Sequence, residues 1–189
     1  AFCFLGSRGL YDPDEGRYTN VALTMLDNGD WIDPQRNADT GHWTKPPLTY
    51  WAIAASVAAF GENAWAARLP MALSFLACIG LCAASARRLA PGREALAALA
   101  YMTMLMPFGA SGLVTTDFLL AAFQALAMLA FVRARFDEDG PGAWPWLMWT
   151  AFALAFLTKG PPALLPMLVI LVFAWLVPAT RPMSRAQLV

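Results

Sequence analysis

The 189-residue chain carries 13 basic and 13 acidic side chains, yet charged residues make up only 14% of it against 59% hydrophobic, and its mean hydropathy is +0.50. Soluble domains are typically about 45–50% apolar and about 25% charged. The shortfall of charge excludes a disordered tail and a nucleic-acid binder with a basic stripe. It also argues against a soluble enzyme, and the composition points to an integral membrane protein.

Residues 1–6 (Ala-Phe-Cys-Phe-Leu-Gly) are too short to cross a bilayer and read as the last turns of a truncated first transmembrane helix. No basic n-region marks them as a signal peptide. With no initiator Met and an end at Val189 soon after an apolar run, the chain reads as a fragment of a longer membrane protein. Three parts follow: 1–6, an extracytoplasmic loop over 7–64, and membrane spans over 65–189.

The stretch 7–45 holds seven of the 13 acids: Asp12, Asp14, Glu15, Asp27, Asp30, Asp33 and Asp39. Tyr18, Val21, Ala22, Met25 and Leu26 recur at helical spacing, and Asn28-Gly29 ends the pattern. A short amphipathic helix beside a span lies in the interface plane. Beginning near Pro13, it puts Asp14, Arg17 and Tyr18 on one face: a base, a cation and a phenol. Two readings of its acids stay open. Asp12 can be an N-cap with Asp14 and Glu15 as first-turn acids suiting the macrodipole, or the acids can serve chemistry. Lys45 precedes Pro46-Pro47, which fix the backbone; its ammonium either snorkels or binds phosphate. His42 is the one histidine in the chain, and a lone loop histidine is more often incidental than a ligand.

From there, long charge-free runs alternate with short polar breaks. About 20 apolar residues span roughly 30 Å of hydrocarbon, and the runs predict five spans near 65–87, 94–112, 115–133, 144–159 and 161–178. Cys78 and Cys82 sit in the first of these as small hydrophobes. Asp117 opens the third span after Thr115-Thr116, where it can cap the helix or, as an ionisable group beside the apolar core, serve function. Lys159 lies in the break Leu157-Thr-Lys-Gly-Pro-Pro162, where its ammonium, like that of Lys45, can snorkel or bind phosphate.

Arg87, Arg88, Arg93, Arg133, Arg135, Arg181 and Arg185 all fall on one side of five alternating spans, which the positive-inside rule makes cytoplasmic. The acidic loop, Asp117 and Lys159 fall on the other. A rival to an enzyme is a transporter or channel subunit in which Asp117 and Lys159 line a solute path; that predicts mid-span charges and pseudo-repeats, and neither is visible.

Asp12-Pro-Asp-Glu-Gly-Arg-Tyr18, Met25-Leu-Asp-Asn-Gly-Asp-Trp31, Lys45-Pro-Pro-Leu-Thr-Tyr-Trp51, Phe60-Gly-Glu, Ala67-Arg-Leu-Pro70, Thr116-Asp117 and Leu157-Thr-Lys-Gly-Pro161 occur in this order. Together they resemble the N-terminal part of a GT-C glycosyltransferase of the aminoarabinose transferase and protein mannosyltransferase-like group. The resemblance implies an all-α, multi-span helical bundle in the bacterial inner membrane, its first loop carrying interfacial helices and its active site facing the periplasm. It also implies transfer of a sugar from a polyprenyl-phosphate donor to a lipid, glycan or protein acceptor, with inversion. Asp14 and Asp117 match the family's catalytic carboxylates, and Lys45, Arg17, Tyr18 and Lys159 match its residues near the donor phosphate. In the aminoarabinose transferases a glutamate before that lysine helps hold zinc. Here Thr44 stands there, a poor zinc ligand, which leaves His42 and Asp39 as candidate metal ligands and a divalent metal doubtful.

Overall fold

The computed structural model describes residues 4–11, 13–37, 40–137 and 141–177. Helix α1 (Asp14–Asn28) is followed by a two-stranded ribbon, β1 (Gln35–Asn37) and β2 (Thr40–Gly41), antiparallel with Gln35 opposite Gly41 and Asn37 opposite Thr40. Then come α2 (Leu48–Phe60), α3 (Ala64–Leu89), α4 (Glu94–Thr103), α5 (Leu105–Ala110), α6 (Asp117–Phe136) and α7 (Trp144–Lys159). A 3-10 turn, Pro161–Leu164, leads into α8 (Leu165–Leu176). The ribbon was not foreseen from the sequence, being too short to show alternation.

The molecule is an all-α integral membrane protein, a multi-span helical bundle. Helices α3, with 26 residues, and α6, with 20, are each long and apolar enough to cross a membrane. At 1.5 Å per residue they are about 39 and 30 Å long. Leu73, Leu76, Leu99, Phe156, Leu171, Val172 and Trp175 are exposed on the bundle, an arrangement suited to lipid rather than water.

The interval 94–112 is one predicted span but two helices. Met104 leaves the helical conformation (ψ 132°) between α4 and α5. Pro107 lacks the N–H that a continuous helix would donate to Thr103, and its ring would crowd that carbonyl. The break falls just ahead of it.

The two larger apolar cores hold most of the bundle. In one, Tyr18, Val21 and Met25 of α1 meet Tyr50, Ile53 and Val57 of α2, Ala67, Met71 and Phe75 of α3, and Phe118 of α6. The other joins Ala127, Ala130 and Phe131 of α6 to Met148, Ala151 and Phe152 of α7 and Ile170 of α8. Pro70 lies inside α3 and cannot donate to the carbonyl of Ala66. Ser56 of α2 makes up the deficit, its Oγ donating to Ala66 O at 2.6 Å. Asn63 caps the same helix, its Oδ1 accepting from the Ala66 amide at 2.9 Å.

Candidate active site

Helix α1 begins at Asp14 and ends at Asn28, where Gly29 turns into the left-handed region (φ 71°) with its amide donating to Met25 O. Its N-cap position is Pro13, without a side-chain cap; the expected cap residue, Asp12, lies outside the described residues. Asp14 and Arg17 form an ion pair one turn apart, and the Asp14 side chain is 53% exposed. Beside them Tyr18 is buried, its ring 5.9 Å from that of Tyr50.

Asp117 opens α6. The capping contact comes from Thr115, whose Oγ1 accepts from the Asp117 amide at 3.4 Å. The carboxylate itself, 61% exposed, pairs with Lys159 at the end of α7. Two carboxylate–cation pairs, 103 residues apart in sequence (117 − 14), therefore converge on Tyr18. Burial pushes the Tyr18 phenol above its ordinary pKa, Asp14 and Asp117 push the same way, and Arg17 and Lys159 oppose them.

The Lys45 segment closes the group. Gly160 (φ 74°) follows Lys159, and a Cβ there would lie 3.9 Å from Pro46 Cγ. The Lys45-Pro46-Pro47 and Lys159-Gly160-Pro161 turns thus pack together. Lys45 makes no ion pair among the described residues. His42 is buried edge-on to Tyr50, ring centroids 5.7 Å apart, and its Nε2 is hydrogen-bonded to Thr44 Oγ1 at 3.0 Å. Burial, then the charges of Arg17 and Arg36, lower its pKa and keep the ring neutral at pH 7. Asp39 lies outside the described residues. Among those described, no three His, Cys, Asp or Glu side chains gather as a metal site, and the hydroxyl in the expected glutamate's place is engaged with His42.

The sequence reading missed the group that holds all this in place. Glu15, 3% exposed, accepts from Arg68 Nε at 2.9 Å and Arg68 Nη2 at 3.0 Å. It also accepts from Arg8 Nη1 at 2.6 Å and from the amides of Tyr11 and Val114, each at 2.9 Å. Arg68, 1% exposed, spends its remaining donors on the carbonyls of Leu5, Arg8 and Gly9. Burial would raise the Glu15 pKa, but the hydrogen bonds from Arg68, Arg8 and the two amides overcome it and hold the carboxyl at about 2. Through Val114 this carboxylate ties the helix carrying Asp14 to the loop that delivers Asp117. One signal was available: an arginine at the head of an apolar run needs a buried partner.

Residues 44–188 match the dolichyl-phosphate-mannose-protein mannosyltransferase family. The chain belongs to this family. Among curated relatives, an undecaprenyl phosphate-alpha-4-amino-4-deoxy-L-arabinose arabinosyl transferase of Pseudomonas fluorescens is 34% identical over 173 residues, 88% of this chain and 31% of the relative. A transferase of the same name from Pseudomonas aeruginosa is 34% identical over 174 residues, again 88% and 31%. Crystal structures of ArnT from Cupriavidus metallidurans, in the apo state and bound to undecaprenyl phosphate, superpose with a TM-score of 0.87 at 32% identity. Both cover 93% of this chain and 33% of theirs. The chain spans about a third of the length of the relatives it matches.

Proposed function

We propose that this mannosyltransferase-family chain carries the catalytic face of a membrane glycosyltransferase that moves a sugar from a polyprenyl-phosphate donor to a lipid, glycan or protein acceptor. The observation that carries the reading is the convergence of the Asp14–Arg17 and Asp117–Lys159 pairs on Tyr18, with the Lys45 turn packed against them. Among the described residues, the three cations Arg17, Lys45 and Lys159 against the two carboxylates leave one positive charge, which suits a phosphate. Three buried polar atoms on α1 and α2 have no hydrogen-bond partner among the described residues: Arg17 Nε, Thr19 Oγ1 and Thr49 Oγ1. Buried polar groups normally have partners, so these suit a polar ligand at this end of the bundle. A likeness to a structure bound to undecaprenyl phosphate supports the same donor class here.

The chemistry follows from the charges. Lys45, Arg17 and Lys159 hold the donor phosphate, and Tyr18 borders it. As the anomeric C–O bond breaks, negative charge grows on the phosphate oxygen, and cations already in place stabilise it more than the ground state. Asp14 accepts the acceptor's hydroxyl proton while that oxygen bonds to the anomeric carbon. Asp117 acts beside it, its position set by Lys159. Direct displacement inverts the anomeric centre, and polyprenyl phosphate leaves.

In this proposal residues 7–64 lie at the periplasmic face of the inner membrane and 65–189 supply five spans, the second broken at Met104. The relatives named above are transferases, which speaks against the alternative in which Asp117 and Lys159 line a solute path. Mass spectrometry of envelope glycolipids and glycoproteins from cells with and without the intact gene tests the reading. A sugar present in the first and missing in the second is expected, and identical profiles would contradict it.

A further inference from the structure

A second charged recess lies at the other end of the bundle. Arg68 and Arg87 are 19 positions apart on α3 (87 − 68), about 28 Å along the axis and close to the roughly 30 Å of a hydrocarbon core. There a cavity of about 610 Å³ is lined by Ala83, Ala84, Arg87, Arg88, Glu94 and Arg133, drawn from α3, α4 and α6. Two of its arginines, Arg88 and Arg133, are held in place. Asp137 pairs with both Arg88 and Arg133, Arg88 Nη2 donates to Phe136 O at 3.3 Å, and the Arg133 guanidinium sits 5.0 Å from the Trp144 ring centroid. Arg87 makes no ion pair or hydrogen bond among the described residues and is exposed.

We propose that this recess is a binding site for the phosphate headgroup of an anionic membrane lipid, separate from the transfer site and independent of it. Two features favour a lipid over free phosphate. Among the described residues, three guanidiniums against the carboxylates of Glu94 and Asp137 leave one positive charge, the complement of a singly charged phosphodiester. Ala83 and Ala84 stand one turn nearer the membrane centre than Arg87 and Arg88, so the recess is cationic at its outer end and apolar inward, as a lipid is. Basic pockets between spans, on the membrane surface with the excess of arginine, recognise such headgroups.

The test uses the full-length protein in phosphatidylcholine nanodiscs doped with phosphatidylglycerol, with bound lipid read by native mass spectrometry. Wild type is expected to retain phosphatidylglycerol selectively, and Arg87→Gln to lower that retention roughly fivefold. Arg87→Lys should keep most of it, and Arg93→Gln, which removes an exposed charge outside the recess, should leave it unchanged. Arg87 is exposed, so its replacement does not compromise folding. Equal retention by wild type and Arg87→Gln would overturn the proposal, as would an equal loss in Arg93→Gln. Retention that survives excess inorganic phosphate supports the lipid; displacement by it overturns the lipid assignment in favour of a free anion.

Discussion

Adjacent acids on one helix sit in opposite environments. Asp14 is half exposed beside Arg17, and Glu15, the next residue, is turned about 100° around the axis into a pocket of six donated hydrogen bonds from Arg8, Arg68, Tyr11 and Val114. Removing one partner of a buried ion pair typically costs about 3–5 kcal/mol, so Glu15→Gln should lower the unfolding temperature in detergent far more than Asp14→Asn. The same carboxylate sets an acid limit. Its folded pKa of about 2 lies below the ordinary 4.5, so its stabilisation is complete above pH 4.5 and is lost as pH falls towards 2. Thermal melts across that window should show the loss in wild type and a flatter profile in Glu15→Gln. Lys45→Ala should weaken use of the lipid-phosphate donor about tenfold, the worth of a hydrogen bond between charged groups; an unchanged apparent affinity would count against a phosphate contact. The shared face of Asp14, Arg17 and Tyr18 was legible from helical spacing alone. The separate role of Glu15 was not, because two of its partners, Arg68 and Val114, lie 53 and 99 residues away.

Helices here answer to proline twice, with different outcomes. Pro107 ends one helix and leaves the chain to restart after Met104, because it falls at the third position of a short α5. Pro70 is carried inside α3 without interruption, because Ser56 supplies the missing donor from the neighbouring helix. Ser56→Ala should therefore cost about 1–3 kcal/mol, the penalty for a buried acceptor left unsatisfied, seen as a drop in thermal stability. A variant as stable as wild type would show that the Ala66 carbonyl finds another partner. Apolar runs revealed where these helices lie, since composition varies sharply between runs and breaks. They could not reveal the break at Met104 or the Ser56 contact, which depend on which carbonyl each proline orphans.

For the molecule as a whole, equal numbers of acids and bases conceal two unlike ends. The acidic loop, Asp117, Lys45 and Lys159 gather at one, and Arg87, Arg88, Arg93, Arg133 and Arg135 at the other. The long helices α3 and α6 separate them by roughly the depth of a bilayer. The Glu15–Arg68 pair fixes how α1, α3 and the loop before α6 meet, and so fixes the spacing of the two carboxylates assigned to transfer. The most direct test of that assignment is sugar transfer from a polyprenyl-phosphate donor by the full-length protein carrying Asp14→Asn, with membrane insertion and thermal stability measured alongside. Transfer nearly abolished in a normally inserted, stable protein is the predicted result. Turnover at the wild-type rate would contradict it.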